Sequence, residues 1–191
     1  MSAPHPILRI WPGYVRSPKH AASVAGLEII DVPAGIPADP GDKQSRELAC
    51  TQGHCHAMRA FLESDWPFCV VFEDDAIVHD RAWMSFTEFD LFMPFVHPGA
   101  YTPPAFEIVP GKLPWRGTQA YLASRNFAEA YLPLLAAGGI SDHAYHVAVR
   151  GLNCGRYAGN VVQHDLHAPS MICNDRRRWQ LHQIWKAGRR R

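Results

Sequence analysis

Short apolar runs, set off by turn residues, divide the chain into alternating strand and helix patterns. Ile7–Trp11 (ILRIW) reads as a first strand, punctuated by Pro12 and Gly13. Ser17 and Pro18 have the form of a helix start, with Ser17 as N-cap and Pro18 at the first helical position. That helix runs through HAASVA and stops at Gly26. Residues 27–32 form a second strand pattern, and the Pro- and Gly-rich stretch that follows is a loop. Ala49, His56, Ala60 and Phe61 fall at helical spacing, which predicts a helix over 45–64. The apolar run 68–72 is a strand. Residues 80–90 predict a short helix with Trp83, Phe86 and Phe89 along one side, and 91–95 a further strand. The stretch 97–114 holds five prolines and reads as an active-site or acceptor loop. Residues 117–123 are a strand pattern, with Ser124 capping a helix that Gly138 and Gly139 end. Ser141 or Asp142 caps the next element, 161–163 is a late strand, and a helix follows Asp175. Strands alternating with helices imply an α/β sheet in a single compact domain.

The strand pattern at 68–72 ends in three consecutive carboxylates, Glu73, Asp74 and Asp75. Val and Phe in an unbroken run point to a buried strand of a parallel sheet. Open α/β sheets place ligands beyond the carboxyl ends of such strands. Acids there need a partner, because an unpaired buried carboxylate is very costly. A hard divalent cation, Mg²⁺ or Mn²⁺, is the natural one. Alternation along the strand would send Glu73 and Asp75 to one side and Asp74 to the other. The plainer reading makes the three acids a solvated loop after a strand.

Composition narrows the class. At 191 residues, 47% apolar and 19% charged, the chain fits one soluble domain with a substantial core. It contains no apolar run of membrane-spanning length, and its first residues lack the pattern of a signal peptide. Five cysteines favour reduced thiols and a cytoplasmic setting. Residues 174–191 carry six Arg and one Lys against one Asp, a net +6, so residues 1–173 carry −5 within an overall +1. A basic helical tail on an acidic body points to a polyanionic partner, either nucleic acid or an anionic membrane surface.

Three patches can be read together: RELACTQGHCHAMRAFLES (46–64), CVVFEDDAIV (69–78), and GTQAYLASRNFAEAYLPLL (117–135) followed by SDH (141–143). In this order they resemble glycosyltransferase family 25, of the lipopolysaccharide and lipooligosaccharide β-galactosyltransferase type. The matching residues are Glu47, Cys50 and His54; Glu73, Asp74 and Asp75; Gly117, Ala120, Tyr121 and Ser124; Asp142; and, in VVQHDLHAPSMI, Gln163 and Ser170. The resemblance covers about residues 44–173. Arg46 and Gly53 depart from the family's Gly and Ser, and Arg16 is the only basic residue matching its N-terminal run.

The resemblance implies a GT-A-like Rossmann-type sheet flanked by helices over residues 1–173, with 174–191 as the tail. It implies transfer of galactose or glucose from a UDP-sugar to a saccharide or other polymer acceptor, with inversion and with Mn²⁺ or Mg²⁺. Asp75 is then the first metal ligand, Glu73 a second ligand or ribose contact, and His164 the distant third. Asp74 orients the loop or the donor sugar. Arg16, Glu47, His54 and Tyr121 line the donor site, and Asp142 is the base. The family's usual acceptor is a lipid-linked saccharide, which would make the protein peripheral to a membrane.

Other readings use the same residues. Cys50, His54, Cys55 and His56 suggest zinc, but no second ligand couplet follows downstream. A cysteine nucleophile finds no better support, and phosphate-loop and dinucleotide motifs are absent. A metal-dependent nuclease or phosphatase could use the three acids with His164 and Asp165, and a transferase could act on modified DNA. A non-enzymatic reading makes the tail a nucleic-acid or membrane-surface binding module.

Overall fold

The structure is a computed structural model that describes residues 5–14, 17–39, 42–94, 108–111, 113 and 118–165. The chain runs β1 (Ile7–Trp11), α1 (Pro18–Ser23), β2 (Ile29–Pro33), α2 (Lys43–Leu62), β3 (Phe68–Glu73) and β4 (Ala76–Val78). A 3₁₀ turn (Ala82–Ser85) leads to β5 (Leu91–Met93), β6 (Ile108–Pro110) and β7 (Ala120–Ser124). Then come α3 (Arg125–Ala136), α4 (Ser141–Ala148), β8 (Cys154–Tyr157) and β9 (Val162–His164). Seven strands form one sheet in the order β2-β1-β3-β7-β5-β8-β6, and β4 pairs with β9 in a separate ribbon. The protein is therefore α/β, with a mixed central sheet flanked by helices.

The sheet is mixed where a parallel one was expected. β3 is parallel to β1 but antiparallel to β7, with Phe72 opposite Ala120. Alternation along β3 splits the core in two. Cys69 and Val71 join Leu8, Ile10, Tyr121 and the buried sides of α2, α3 and α4. Val70 and Phe72 join Ile7, Trp83, Phe92, Leu122 and Tyr157 on the other face.

Local chemistry explains most element ends. The Ser17 hydroxyl accepts from the His20 N–H at 2.9 Å and Pro18 opens α1, so this helix starts as its residues predict. Asp42 caps α2 and Ser124 caps α3, each accepting a backbone N–H three residues on. The Arg125 guanidinium donates to the carbonyls of Leu62 and Ser64 at 2.8 and 2.9 Å, closing the C-terminal end of α2. Two glycines set the fit of α2 on the sheet. A Cβ on Gly53 would lie 2.6 Å from Ile10 Cγ2, and one on Gly35 would lie 2.0 Å from the Ala49 carbonyl oxygen. Both are places of close approach that a side chain would block.

Several expectations are corrected. Residues 80–90 contain only the 3₁₀ turn, not a helix. Asp80 Oδ1 accepts from the Ala82 N–H at 2.9 Å, a local bond that competes with helix formation. The aromatics packed three apart stack onto the sheet instead, Trp83 on Phe72 at 6.0 Å and Phe86 on Phe92 at 4.9 Å. The late strand exists, but it pairs with β4, not with the large sheet. Neither Ser141 nor Asp142 caps α4: its N-cap is Ile140, which makes no side-chain cap bond. Strands β4, β6 and β8 had no separate sequence signal. The basic tail, Arg16, and most of the 97–114 loop lie outside the described residues. Among the described residues, no helix is long and apolar enough to cross a membrane.

Candidate functional site

The end of β3 is buried on every side. Glu73, Asp74 and Asp75 are 8%, 3% and 0% exposed, which overturns the solvated-loop reading. The strand ends at Glu73, and Asp74 and Asp75 form the turn into β4. The simple alternation expected for the three acids therefore stops after the first.

Glu73 points to the α2 side of the sheet, in phase with Cys69 and Val71. There its Oε1 lies 3.3 Å from His54 Nε2 and 3.2 Å from the Thr118 hydroxyl. His54 is fully buried, and its Nδ1 lies 3.0 Å from the Tyr121 hydroxyl. Burial pushes the Tyr121 phenol well above its ordinary pKa, so it stays protonated and can donate to Nδ1. In that arrangement the Nε2–H of His54 donates to Glu73. The opposite tautomer, with Nδ1–H donating to Tyr121, leaves a lone pair at Nε2.

Thr118 joins this group to α4. Its hydroxyl also lies 3.2 Å from Asp142 Oδ1. One hydroxyl has one proton, so it donates to one carboxylate at a time. The start of α4 is held from two sides: the Ser141 N–H donates to Thr51 of α2, and its carbonyl accepts from Tyr131 of α3, at 3.1 and 3.0 Å. Asp142 is thereby fixed beside Glu73 while remaining only half-buried.

The β4–β9 ribbon brings the late segment to the other side of the turn. His164 pairs with Ala76, the residue after Asp75, and the Asp165 N–H donates to the Asp75 carbonyl at 2.8 Å. The His164 side chain lies outside the described residues. The buried Asp165 carboxylate accepts from Ser17 at 2.7 Å. The side chains that reach these carboxylates include two hydroxyls, Ser17 on Asp165 and Thr118 on Glu73, and the His54 imidazole on Glu73. Among the described residues, one ligand atom from each of Cys50, His54 and Glu73 lies within 4.8 Å of the others, on the α2 side of the sheet.

A cleft of about 540 Å³ opens at the carboxyl ends of β1 and β2. Trp11, Pro12, Gly13, Tyr14, Gly35 and Ile36 line it. Ile10 of β1 is in register with Glu73 of β3, so Trp11, which starts the cleft wall, lies one residue further along the neighbouring strand. Arg9 lies 4.1 Å over the Trp11 ring and pairs with Asp31 at 2.7 Å, which fixes that wall.

Of the residues expected at the site, His54, Glu73, Tyr121 and Asp142 converge, and Asp74 and Asp75 adjoin them. Glu47 does not join them. It pairs with Lys43 at 3.1 Å, about 10 Å along the helix axis from His54. Thr118 is the residue that sequence reasoning passed over. It occupies a variable position between Gly117 and Ala120 in the resemblance, just before β7, and no spacing marks it. Comparison of the chain with protein-family models found no match, and comparison with curated proteins found none either.

Proposed function

We propose that the chain is a metal-dependent glycosyltransferase on a GT-A-like sheet. It moves a hexose, galactose or glucose, from a UDP-sugar to a hydroxyl of a saccharide or other polymer acceptor, with inversion. The observation that carries this reading is the buried Glu73-Asp74-Asp75 turn at the end of β3, the strand next to β1, whose end edges an open aromatic cleft. Sheets of this class bind ligands at that end. Trp11 and Tyr14 offer flat surfaces for a nucleotide base.

Asp75 would hold Mn²⁺ or Mg²⁺ with His164 as a further ligand, while Glu73, turned to the α2 side, would serve as the ribose contact. Such an ion supplies charge stabilisation for a departing nucleoside diphosphate. The chain's own residues do the rest. The acceptor oxygen attacks the anomeric carbon from the face opposite the diphosphate, and the bond to the diphosphate oxygen breaks. Asp142 takes the acceptor proton, held in place by Thr118. His54, braced by Tyr121, orients Glu73. The arginines of the tail would dock the polyanionic acceptor, a lipid-linked saccharide at an anionic surface.

A thermal-shift screen with UDP and UDP-sugars, with and without Mn²⁺, tests the donor site. The native protein should shift only with both metal and uridine compound, and Asp75→Ala should lose the shift. Asp142→Asn should keep it while transfer falls about 10²- to 10⁴-fold, the usual worth of a general base. No shift with any nucleotide, together with salt-sensitive binding to nucleic acid or anionic lipid, would overturn the reading.

A further inference from the structure

We infer that Cys50, His54 and Glu73 form a binding site for a zinc-class divalent ion, distinct in chemistry from the oxygen-rich turn at Asp74 and Asp75. Cys50 and His54 are four apart on α2, so they stand one above the other on one helix face. β3 delivers Glu73 to that face. One ligand atom from each of the three lies within 4.8 Å of the others. The downstream couplet missing from the sequence is replaced by a single carboxylate from the sheet.

The separation of two of the three ligands already matches that around a bound ion. Two ligands at about 2.0–2.1 Å from a tetrahedral ion stand about 3.3 Å apart. His54 Nε2 and Glu73 Oε1 are separated by 3.3 Å. With Nε2 ligating, the Nδ1–H donates to the Tyr121 hydroxyl at 3.0 Å, the outer contact that fixes a ligating histidine's tautomer. The Thr118 hydroxyl, 3.2 Å from Glu73, does the same for the carboxylate. Both supporting groups are in place.

Charge favours occupancy as well. A thiolate, a carboxylate and a neutral imidazole carry two negative charges, which a divalent ion cancels. His54 is 0% exposed and Glu73 8%, so a neutral assembly is what this depth tolerates. Ligand type selects the metal: thiolate with imidazole favours zinc over Mg²⁺ or Mn²⁺, which take oxygen. Cys50 is the partly exposed member, and the ion enters past it. Three protein ligands leave a fourth position for water. Such an ion would pin α2 to the end of β3. The site stands whether or not the chain transfers a sugar, because it is read from binding alone.

Cobalt tests it, since Co²⁺ reports thiolate ligation through a charge-transfer band and tetrahedral geometry through strong visible absorption. Full-length, metal-stripped protein titrated with Co²⁺ should show both at one equivalent, and Zn²⁺ should displace them. Cys50→Ser should lose the charge-transfer band and bind Zn²⁺ more than about a hundredfold more weakly, since even loss of an outer contact costs about 10- to 100-fold. Cys173→Ser and Asp75→Asn should keep the band. Circular dichroism of Cys50→Ser checks that it is folded, and Glu73→Gln supplies a second ligand variant with the thiol intact. A native protein with no thiolate band, or a band that survives Cys50→Ser, would overturn the proposal.

Discussion

On one face of β3, Val70 and Phe72 meet Trp83, Phe92 and Tyr157. On the other, Cys69 and Val71 lead to Glu73, which meets His54, Thr118 and, through Thr118, Asp142. Both faces exclude water, but they do so with different chemistry. The aromatic face gains free energy from area removed from water. The polar end gains little net, because each buried hydrogen bond replaces one to water, and a buried carboxylate with imperfect partners is costly. Stability should therefore reside on the aromatic face and chemistry at the polar end.

The largest expected effect tests the first half of that contrast. Trp83 is fully buried, packs edge-on to Phe72, and donates its indole N–H to the Asp80 carbonyl at 3.0 Å. Trp83→Ala should cost about 3–5 kcal/mol, a fall in Tm on the order of 10 °C. The proposed metal-dependent nucleotide binding, measured by calorimetry below the new Tm, should persist. A variant that stays as stable as the native chain would move the core elsewhere.

A smaller effect sharpens the second half. Thr118→Val keeps the shape and removes the hydroxyl that reaches both Glu73 and Asp142. Hydrogen bonds to charged groups are worth about 1.5–3 kcal/mol, so the urea midpoint should drop accordingly, and Thr118→Ser should restore it. An unchanged midpoint in Thr118→Val would mean that the two carboxylates are held by other contacts.

Signals local to one segment were more legible in the sequence than contacts between segments, and the reason is physical. Apolar runs, caps and breakers act locally, so β1, α1, α2, β3, β7 and α3 can be read from neighbours in the chain. Ser17 with Pro18, and Ser124 before its helix, are local signals of this kind. The strand-end acids were legible for the same reason. What joins them was not. His54 meets Glu73 only because Gly53 lets α2 lie against Ile10. Thr118 meets Asp142 only because Thr51 and Tyr131 hold the first turn of α4. The short strands β6 and β8 pair at the far edge of the sheet, where partner strands outweigh their own weak patterns. The polar network is thus a product of packing between segments, which spacing along one segment does not encode.

A buried histidine on the aromatic face gives the contrast a pH-dependent edge. His20 is 1% exposed, stands edge-on to Phe72 at 6.2 Å, and donates Nδ1–H to the Ala76 carbonyl at 2.6 Å. Its Nε2 is buried without a hydrogen-bond partner among the described residues. Burial lowers its pKa from 6.5; the Ala76 carbonyl, Asp75 and Asp31 oppose that shift, and Arg9 reinforces it. A histidine with a depressed folded pKa binds fewer protons folded than unfolded just below pH 6.5. Its contribution to stability is then complete above that pH and is lost as pH falls through the folded value, at up to about 1.4 kcal/mol per pH unit. His20→Asn keeps a donor near the Nδ1 position and removes the titration. Native Tm should therefore decline more steeply than that of the variant between pH 7 and pH 5, with the two profiles parallel above pH 7. Parallel profiles throughout would show that His20 accepts its proton without cost, and that the aromatic face tolerates charge as readily as the polar one.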